Sequence, residues 1–249
     1  MEKIAIVTGA TSGIGEAITR KFLSDGMRVI ITGRSSEKLD SLKVEFGDKV
    51  HVLCFDVRDR EFTKLALDSL PEKWRDIDIL VNNAGLALGL EPEFEGNFDD
   101  WDTMIDTNIK GLLTMTRYVV PCMVKRGKGH IVNIGSVAGD AAYANGAVYC
   151  ASKAAVKTLT DGLRIDLANT PIRVTLLKPG LVETNFSNVR FHGDTDRAAN
   201  VYKGITPLTG DDIADAALYA VKAPEHVQIA EILILATHQA NGSTIVRKV

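Results

Sequence analysis

The amino-acid sequence predicts an α/β fold in which a doubly wound, parallel, seven-stranded sheet carries helices on both faces. Apolar segments of strand length alternate with helical patterns, and no linker rich in Pro, Gly or Ser separates them. Strands that alternate with helices form parallel sheets through right-handed crossovers. An α/β chain of 249 residues commonly forms a single domain, so residues 1–249 are interpreted as one domain.

Seven short apolar segments are the strand candidates. Their continuous Val- and Ile-rich runs are typical of strands buried on both faces of a parallel sheet. They are residues 3–8, 27–32, 49–55, 77–82, 130–135, 172–177 and 231–236. The two longest helical patterns lie near 100–126 and 147–169. The least regular stretch, 185–210, is rich in Asn, Asp and Gly and is predicted to be a long loop, a type that is usually functional.

Composition and charge exclude several classes of protein. The net charge is −3 and the chain has no basic block, so neither nucleic acid nor an anionic membrane is an expected partner. The apolar runs are too short to span a membrane, and the first strand starts too close to Met1 for a signal peptide. The three cysteines and five histidines show no metal-ligand spacing, so no metal is expected. The expected protein is cytoplasmic and acts on a small molecule.

A glycine-rich segment follows the first predicted strand and opens a helical pattern. It reads Gly9-Ala10-Thr11-Ser12-Gly13-Ile14-Gly15, with the spacing G-x-x-x-G-x-G. Glycines at such a turn let the backbone approach a pyrophosphate closely, and the helix N-terminus attracts the phosphates. An ordinary glycine-rich turn is the alternative. The strand before it and the helix after it favour a dinucleotide site.

A tyrosine and a lysine four residues apart form a second candidate site. Tyr149 and Lys153 lie on one face if their segment is helical, and Ser136 lies upstream at the end of an apolar run. A nearby ammonium group favours the phenolate form of tyrosine, and a serine hydroxyl can hold an alcohol or carbonyl oxygen against it. The pattern Y-x-x-x-K alone occurs by chance on exposed helices. Beside a dinucleotide site, it indicates the proton-transfer half of an oxidoreductase site.

Several motifs together resemble the short-chain dehydrogenase/reductase family, in that family's order and over almost the whole chain. They are T-G-x-x-x-G-I-G at 8–15, N-N-A-G at 82–85, Asn108, Ser136, Y-x-x-x-K at 149–153 and P-G at 179–180. Segments 77–89, 100–108 and 179–191 are similar to its NADP-dependent 3-hydroxy acid dehydrogenase group, which includes serine and allo-threonine dehydrogenases. The resemblance implies a Rossmann-type fold and an enzyme that transfers a hydride between a nicotinamide and a small 3-hydroxy acid.

The residues after the second predicted strand favour NADP over NAD. No acidic residue occupies 32–36, where an NAD site would place one against the ribose 2′-hydroxyl, whereas Arg34 can bind a 2′-phosphate. Ser35 is a candidate helper and Lys38 a weaker one. A solvated surface arginine is the alternative for Arg34. The basic residue that many NADP-dependent relatives carry in the glycine loop is replaced here by Ser12.

The resemblance assigns a set of residues to cofactor binding. They are Gly9, Thr11, Ser12, Gly13, Ile14, Gly15, Arg34, Ser35, Asp56, Val57, Asn83, Ala84, Gly85, Tyr149, Lys153, Pro179, Gly180, Val182 and Thr184. It implies that Asp56 and the Val57 amide contact the adenine, and that Thr184 contacts the nicotinamide carboxamide.

The resemblance also implies four catalytic residues, Asn108, Ser136, Tyr149 and Lys153. Ser136 holds the substrate hydroxyl and Tyr149 removes its proton. Lys153 lowers the pKa of the tyrosine and holds the nicotinamide ribose. Asn108 positions a water behind Lys153 for proton relay. A helix asparagine bonded locally to backbone is the alternative for Asn108.

The segment 185–210 corresponds to the part of the family that closes over substrate, so it is interpreted as a lid. Arg190, within it, is the candidate partner for a substrate carboxylate, because an unpaired buried charge is very costly. The predicted substrate-binding residues are therefore Ser136, Tyr149 and Arg190. A surface or subunit-interface ion pair is the alternative for Arg190, and Lys178 is a weaker candidate for the carboxylate.

Two other functions stay open at the level of the sequence. The same scaffold serves reductases of other small carbonyl or 3-oxoacyl substrates, and some relatives are NADP-sensing regulators without turnover. The complete catalytic set favours an enzyme over a regulator.

A homotetramer is expected, because family members generally pair the two long helices across a two-fold axis. These helical patterns carry more apolar residues than one sheet face needs, although an entirely internal core is the alternative. The residues are Met104, Ile105, Leu112, Met115, Val119, Val156, Leu159, Leu163 and Leu167.

Overall fold

The computed structural model describes residues 2–247 and contains the predicted seven-stranded parallel sheet. The strands are β1 (Ile4–Val7), β2 (Arg28–Gly33), β3 (Val50–Cys54), β4 (Ile79–Asn82), β5 (Gly129–Ile134), β6 (Ile172–Pro179) and β7 (Glu231–Ile234). Their spatial order is β3-β2-β1-β4-β5-β6-β7, and every neighbouring pair is parallel. All seven strand predictions are confirmed, with ends that differ by at most two residues.

Helices cover both faces of the sheet. They are α1 (Gly13–Ser24), α2 (Ser36–Phe46), α3 (Arg60–Asp68), α4 (Phe98–Ile105), α5 (Leu112–Arg126), α6 (Ala147–Asp166), α7 (Phe186–Arg190), α8 (Thr195–Tyr202) and α9 (Gly210–Lys222). Helices α1, α2 and α9 pack on one face, and α3, α5 and α6 pack on the other. Within residues 2–247, no helix combines the length and the apolar character needed to cross a membrane.

The position of the central strand β1, between two layers of helices, explains why its sequence is apolar throughout. Successive side chains of a strand point to opposite faces. Ala5 and Val7 therefore join the core under α1 and α9, whereas Ile4 and Ile6 join the core under α5 and α6. All four side chains are buried. Both faces of the strand are covered, which leaves no position for a polar side chain.

The long helix predicted near 100–126 differs from a regular α-helix. It begins at Phe98, and a π turn at Asp106–Gly111 separates α4 from α5. Asn97 caps its start, since the side-chain oxygen accepts the amide hydrogens of Asp99 and Asp100. The residue at the end of the π turn is a glycine because a Cβ at Gly111 would lie 2.6 Å from a methyl carbon of Val57.

The stretch 185–210 is not the irregular loop that its composition predicts. It contains α7 and α8, and the carboxylate of Asp194 caps α8 by accepting the Arg197 amide hydrogen at 3.0 Å. Isolated helices this short are unstable in water, so contacts with the rest of the protein must stabilise them. One such contact joins the Gly89 amide to the Arg190 carbonyl at 2.9 Å.

Candidate functional site

A cavity of about 570 Å³ opens at the carboxyl edge of the sheet, where β1 and β4 lie side by side. The strand order reverses between these two strands, and ligands of open α/β sheets bind at that position. All but two of the predicted cofactor-binding residues line the cavity. The exceptions are Gly15 and Ser35.

The glycine segment is shaped by close backbone contacts. Gly9 and Gly13 have positive φ angles of 65° and 54°, which other residues rarely adopt. Gly15 lies behind the cavity wall, where a Cβ would overlap the Gly9 carbonyl oxygen and the side-chain nitrogen of Asn83. Its role is therefore packing between the turn and β4.

Thr8, which the sequence analysis named only as the first residue of the glycine motif, fastens this turn to β4. The Thr8 hydroxyl oxygen accepts hydrogen bonds from the amides of Asn83 and Ala84, both at 2.9 Å. In return, the Asn83 side chain donates to the carbonyl oxygens of Thr8 and Gly9, at 2.8 and 3.2 Å. These bonds fix the two central strand ends that form the cavity floor.

The cavity wall beyond β2 carries an arginine with a free side chain. Arg34 is exposed, and its guanidinium makes no hydrogen bond or ion pair with residues 2–247. The prediction that Ser35 helps it is not supported, because the Ser35 hydroxyl accepts the Lys38 amide at the start of α2 and lies outside the cavity lining. Lys38 is exposed and does not line the cavity either.

The carboxylate predicted to contact adenine already has a partner. Asp56 accepts two side-chain hydrogen bonds from Arg58, at 3.0 and 2.7 Å, and one from the Arg58 amide. Burial acts to raise the pKa of the Asp56 carboxyl, but these bonds hold it below its usual value. Asp56 thus reaches the cavity as a charged group that Arg58 orients.

The segment after β6 lies close to the glycine turn. A Cβ at Gly13 would lie 3.1 Å from the Thr184 Cβ, which places Thr184 beside the predicted pyrophosphate site. Gly180 has no room for a side chain because Gln239 packs against it. Gln239 was missed by the sequence analysis. It accepts the Leu181 amide at 2.9 Å and so holds this segment to the C-terminal region.

Ser136, Tyr149 and Lys153 meet in the cavity beyond these residues. The Ser136 hydroxyl oxygen accepts the Ala138 amide at 3.1 Å, within the short helical turn that it starts. The first turns of α6 place Tyr149 and Lys153 on one face, with the lysine nitrogen 6.0 Å from the tyrosine ring centre. This nitrogen donates to the Ile134 carbonyl at 3.0 Å.

Burial controls the acid–base properties of this group. It raises the pKa of the Tyr149 phenol, whereas the Ser136 hydroxyl and the Arg190 charge act in the opposite direction. Burial also lowers the pKa of Lys153 to about 8. In the protein alone, loss of solvation thus outweighs the effect of neighbouring charges on the pKa of Tyr149. The lowering of this pKa by Lys153 together with the charge of the oxidised nicotinamide stays a prediction.

Asn108 lies in the π turn and does not line the cavity. Its amide group exchanges two hydrogen bonds with the backbone of Leu86, both at 2.9 Å, and donates a third to the Ser152 hydroxyl. These bonds are long-range, which differs from the local bonding considered for a helix asparagine. They hold the segment after β4 against α6, and the proton-relay role of Asn108 stays a prediction.

Arg190 reaches the cavity from α7 and carries an unpaired nitrogen. Its Nε donates to the Gly89 carbonyl at 3.0 Å and its Nη1 to the Tyr143 hydroxyl at 2.9 Å. Its Nη2 is buried and has no partner among residues 2–247. The guanidinium carbon lies 5.7 Å from the ring centre of Tyr149. Tyr143 was missed, because no motif or spacing marks it.

Three groups of residues at the carboxyl edge of the sheet can each perform a different chemical task. The glycine turn and Arg34 can hold a phosphorylated dinucleotide. Tyr149 and Ser136 can exchange a proton with an oxygen placed between them. The free Nη2 of Arg190 can bind an anion beside that oxygen.

Comparisons with known proteins agree with these capacities. Residues 3–194 match the short chain dehydrogenase family model. The chain is 50% identical over 238 residues to the NADP-dependent 3-hydroxy acid dehydrogenase YdfG of Salmonella typhi, covering 95% of this chain and 96% of that protein. It is 43% identical to the serine 3-dehydrogenase of Agrobacterium fabrum, covering 96% of each. A closed serine dehydrogenase structure complexed with NADP+ matches with a TM-score of 0.95 and 49% identity, covering 98% of this chain and 99% of that one.

Proposed function

This chain belongs to the short-chain dehydrogenase family, and we propose that it is an NADP-dependent 3-hydroxy acid dehydrogenase. Its substrates would be small 3-hydroxy acids such as L-serine, L-allo-threonine and 3-hydroxypropionate. The names of its relatives support the reaction class. The observation that carries the substrate class is the buried, unpaired Nη2 of Arg190 near Tyr149.

The proposed mechanism uses the chain's own residues for positioning and proton transfer. A bound NADP, held by the glycine turn, Arg34 and the other predicted cofactor-binding residues of the cavity, would supply hydride transfer to or from the substrate carbon. Ser136 donates a hydrogen bond to the substrate oxygen. Tyr149 takes the hydroxyl proton during oxidation and gives it back during reduction. Lys153 supplies a fixed positive charge beside the phenol, and the carbonyl of Ile134 orients it.

The carboxylate of the substrate would pair with Arg190. Two of the three guanidinium nitrogens are already held by Gly89 and Tyr143, so the third is fixed in direction before substrate binds. A fixed donor loses little conformational entropy on binding. The pairing would also satisfy a buried polar group that is costly to leave unpaired.

The segment 185–210 would act as a lid over this site. Two contacts hold it to the segment between β4 and α4: Arg190 with Gly89, and Arg197 with Glu91 at 3.7 Å. A third contact joins His192 to Asp100 of α4 at 3.0 Å. The lid itself supplies Arg190. Closure of the lid would therefore complete the substrate site.

A substrate screen with both cofactors tests the proposed function. The matched pair is 3-hydroxypropionate and its neutral amide, 3-hydroxypropionamide, read by the absorbance of the reduced nicotinamide. We expect kcat/KM to be higher for the acid than for the amide, and higher with NADP than with NAD. Preference for the amide, or turnover of 3-oxoacyl thioesters alone, would assign the site to another carbonyl substrate, and no turnover of any compound would support a regulator.

Replacement of Arg34 by alanine is expected to change cofactor preference. The side chain is free to pair with a 2′-phosphate, and a lost charge-assisted bond corresponds to about 1.5–3 kcal/mol. KM for NADP should rise roughly ten- to hundredfold, with little change for NAD. Lys38→Ala is the matched control, since Lys38 is also exposed but lies outside the cavity lining. Equal effects of Arg34→Ala on both cofactors would contradict the assignment.

Assembly into a homotetramer is expected, but on different residues from those that the sequence suggested. Most of the apolar residues first considered, Met115 and Val156 among them, are internal core. Leu113, Val124 and Ile165 on α5 and α6 are instead exposed, at 42%, 42% and 75%. Light scattering should give a molar mass four times that of one chain. The substitution Ile165→Glu should lower this measured mass by weakening the assembly. A monomer at micromolar concentration would contradict the prediction.

A further inference from the structure

An ion cluster that the proposed mechanism does not use lies at the end of β6 and the start of β7, where the buried Lys178 pairs with two partly exposed carboxylates. The ammonium group of Lys178 contacts both carboxylate oxygens of Asp140, at 3.0 and 2.9 Å, and one oxygen of Glu231 at 2.5 Å. The Lys178 side chain is only 6% exposed. None of the three residues lines the cavity. Any effect of the cluster on the reaction must therefore pass through other residues.

Asp140 connects this cluster to the turn that carries Ser136. Ser136 starts the turn Val137–Gly139, and Asp140 ends it. The Ser136 hydroxyl bonds within the turn, to the Ala138 amide, so its position follows the position of the whole turn.

The turn is fitted between a helix and a strand end. On the helix side, a Cβ at Gly139 would lie 2.7 Å from the Lys153 carbonyl oxygen, so the turn packs directly on the backbone of α6. On the strand side, the Ser136 hydroxyl lies 3.5 Å from the Pro179 carbonyl, directly after Lys178. The Asp140–Lys178 pair is the charged link between this turn and β6.

We propose that Asp140 and Lys178 are positioning residues for Ser136, which they hold at the distance from Tyr149 that the reaction requires. The inference rests on the proposed function only in that Ser136 contacts the reacting oxygen. Lys178 holds the turn through Asp140, while Glu231 pairs with the same ammonium group from β7, outside the turn. Loss of Asp140 frees the turn, whereas loss of Glu231 leaves the link in place.

The test compares two isosteric substitutions that each remove one carboxylate charge from the same lysine. Asp140→Asn should lower kcat roughly ten- to hundredfold, because small displacements of a catalytic group are costly. Glu231→Gln should change kcat by less than about threefold, since the charged link to the turn remains. The dissociation constant for NADPH, measured by its fluorescence, should stay near the wild-type value in both. Equal losses in the two variants would overturn the proposal, because they would indicate a general effect of the cluster on stability.

A double-mutant cycle identifies the residue through which Asp140 acts. In a Ser136→Ala background, Asp140→Asn should cause little further loss of kcat, because the group that it positions is already absent. A further loss of full size would overturn the proposal. The fractional loss should also be the same for 3-hydroxypropionate and its neutral amide. Loss on the acid alone would instead indicate an effect through Tyr143 and Arg190.

The experiment separates failure of this inference from failure of the proposed function. The cycle can be measured on whichever alcohol the wild-type protein oxidises, acid or neutral. If Asp140→Asn does not fold, Lys178→Arg and Lys178→Gln replace it. Lys178→Arg keeps the positive charge and should retain most of kcat, whereas Lys178→Gln should lose it. Equal kcat in these two variants would overturn the proposal.

Discussion

Tyr149→Phe should lower kcat by about 10²–10⁴-fold while the protein stays folded and binds NADP normally. The substitution removes one oxygen and changes the packing volume little. The phenol is buried beside Ser136, so water cannot readily replace it as the proton donor or acceptor. Steady-state kinetics and NADPH fluorescence titration measure the two effects.

Tyr143→Phe provides the comparison for this variant. Tyr143 is a neighbouring, partly buried phenol, but its hydroxyl accepts a hydrogen bond from Arg190. Its loss should therefore mainly weaken the binding of acids and have a much smaller effect on kcat for the neutral amide. Near-normal turnover in Tyr149→Phe would remove this tyrosine from the mechanism.

Arg190→Met should reduce kcat/KM for 3-hydroxypropionate by about 10²–10³-fold and affect the neutral amide far less. Removal of one member of a buried ion pair costs about 3–5 kcal/mol, because the other charge is left unpaired. Methionine keeps an apolar stem of similar length but removes the guanidinium group, which is the part that lies near the rings of Tyr143 and Tyr149. The measurement is the ratio of kcat/KM for the acid to kcat/KM for the amide.

Arg197→Met is the matched control, because Arg197 lies on the same predicted lid but does not line the cavity. It pairs with Glu91 near the surface, so its loss should have little effect on the ratio. A proportional loss on acid and amide in Arg190→Met would show that Arg190 supports the lid without binding the carboxylate.

Most of the sheet could be predicted from the sequence because its central strands are covered on both faces. β1, for example, has no solvent-facing side, so its four residues are all apolar and stand out from their surroundings. The glycine turn could also be predicted from the sequence, because only glycine fits its positive φ angles and close contacts. These features depend on residues that are adjacent in the chain.

The features that were missed depend on contacts between distant residues. Thr8 and Asn83 are 75 positions apart, and Lys178 and Asp140 are 38 apart, so no local spacing indicates either pair. Helices α7 and α8 are short and depend on packing, which sequence patterns do not report. Ser35 was ambiguous for another reason, because a serine at that position can cap a helix or contact a phosphate, and here it caps α2.

The π turn between α4 and α5 has a geometric consequence for the site. Each residue of an α-helix advances the chain by about 100° around the axis, and a π turn holds about one residue more than an α turn. The side chains of α5 therefore point in directions that are rotated about the helix axis, compared with the directions they would have if α4 continued as a regular α-helix. Met104 of α4 packs beside Tyr149, whereas Met115 and Met123 of α5 pack under the sheet. The continuous helical segment α4–α5 can thus face the reaction centre along α4 and the sheet along α5. Deletion of a single residue from 106–111 would rotate one helix relative to the other, so that one of these two faces would point away from its partner although all its side chains would still be present.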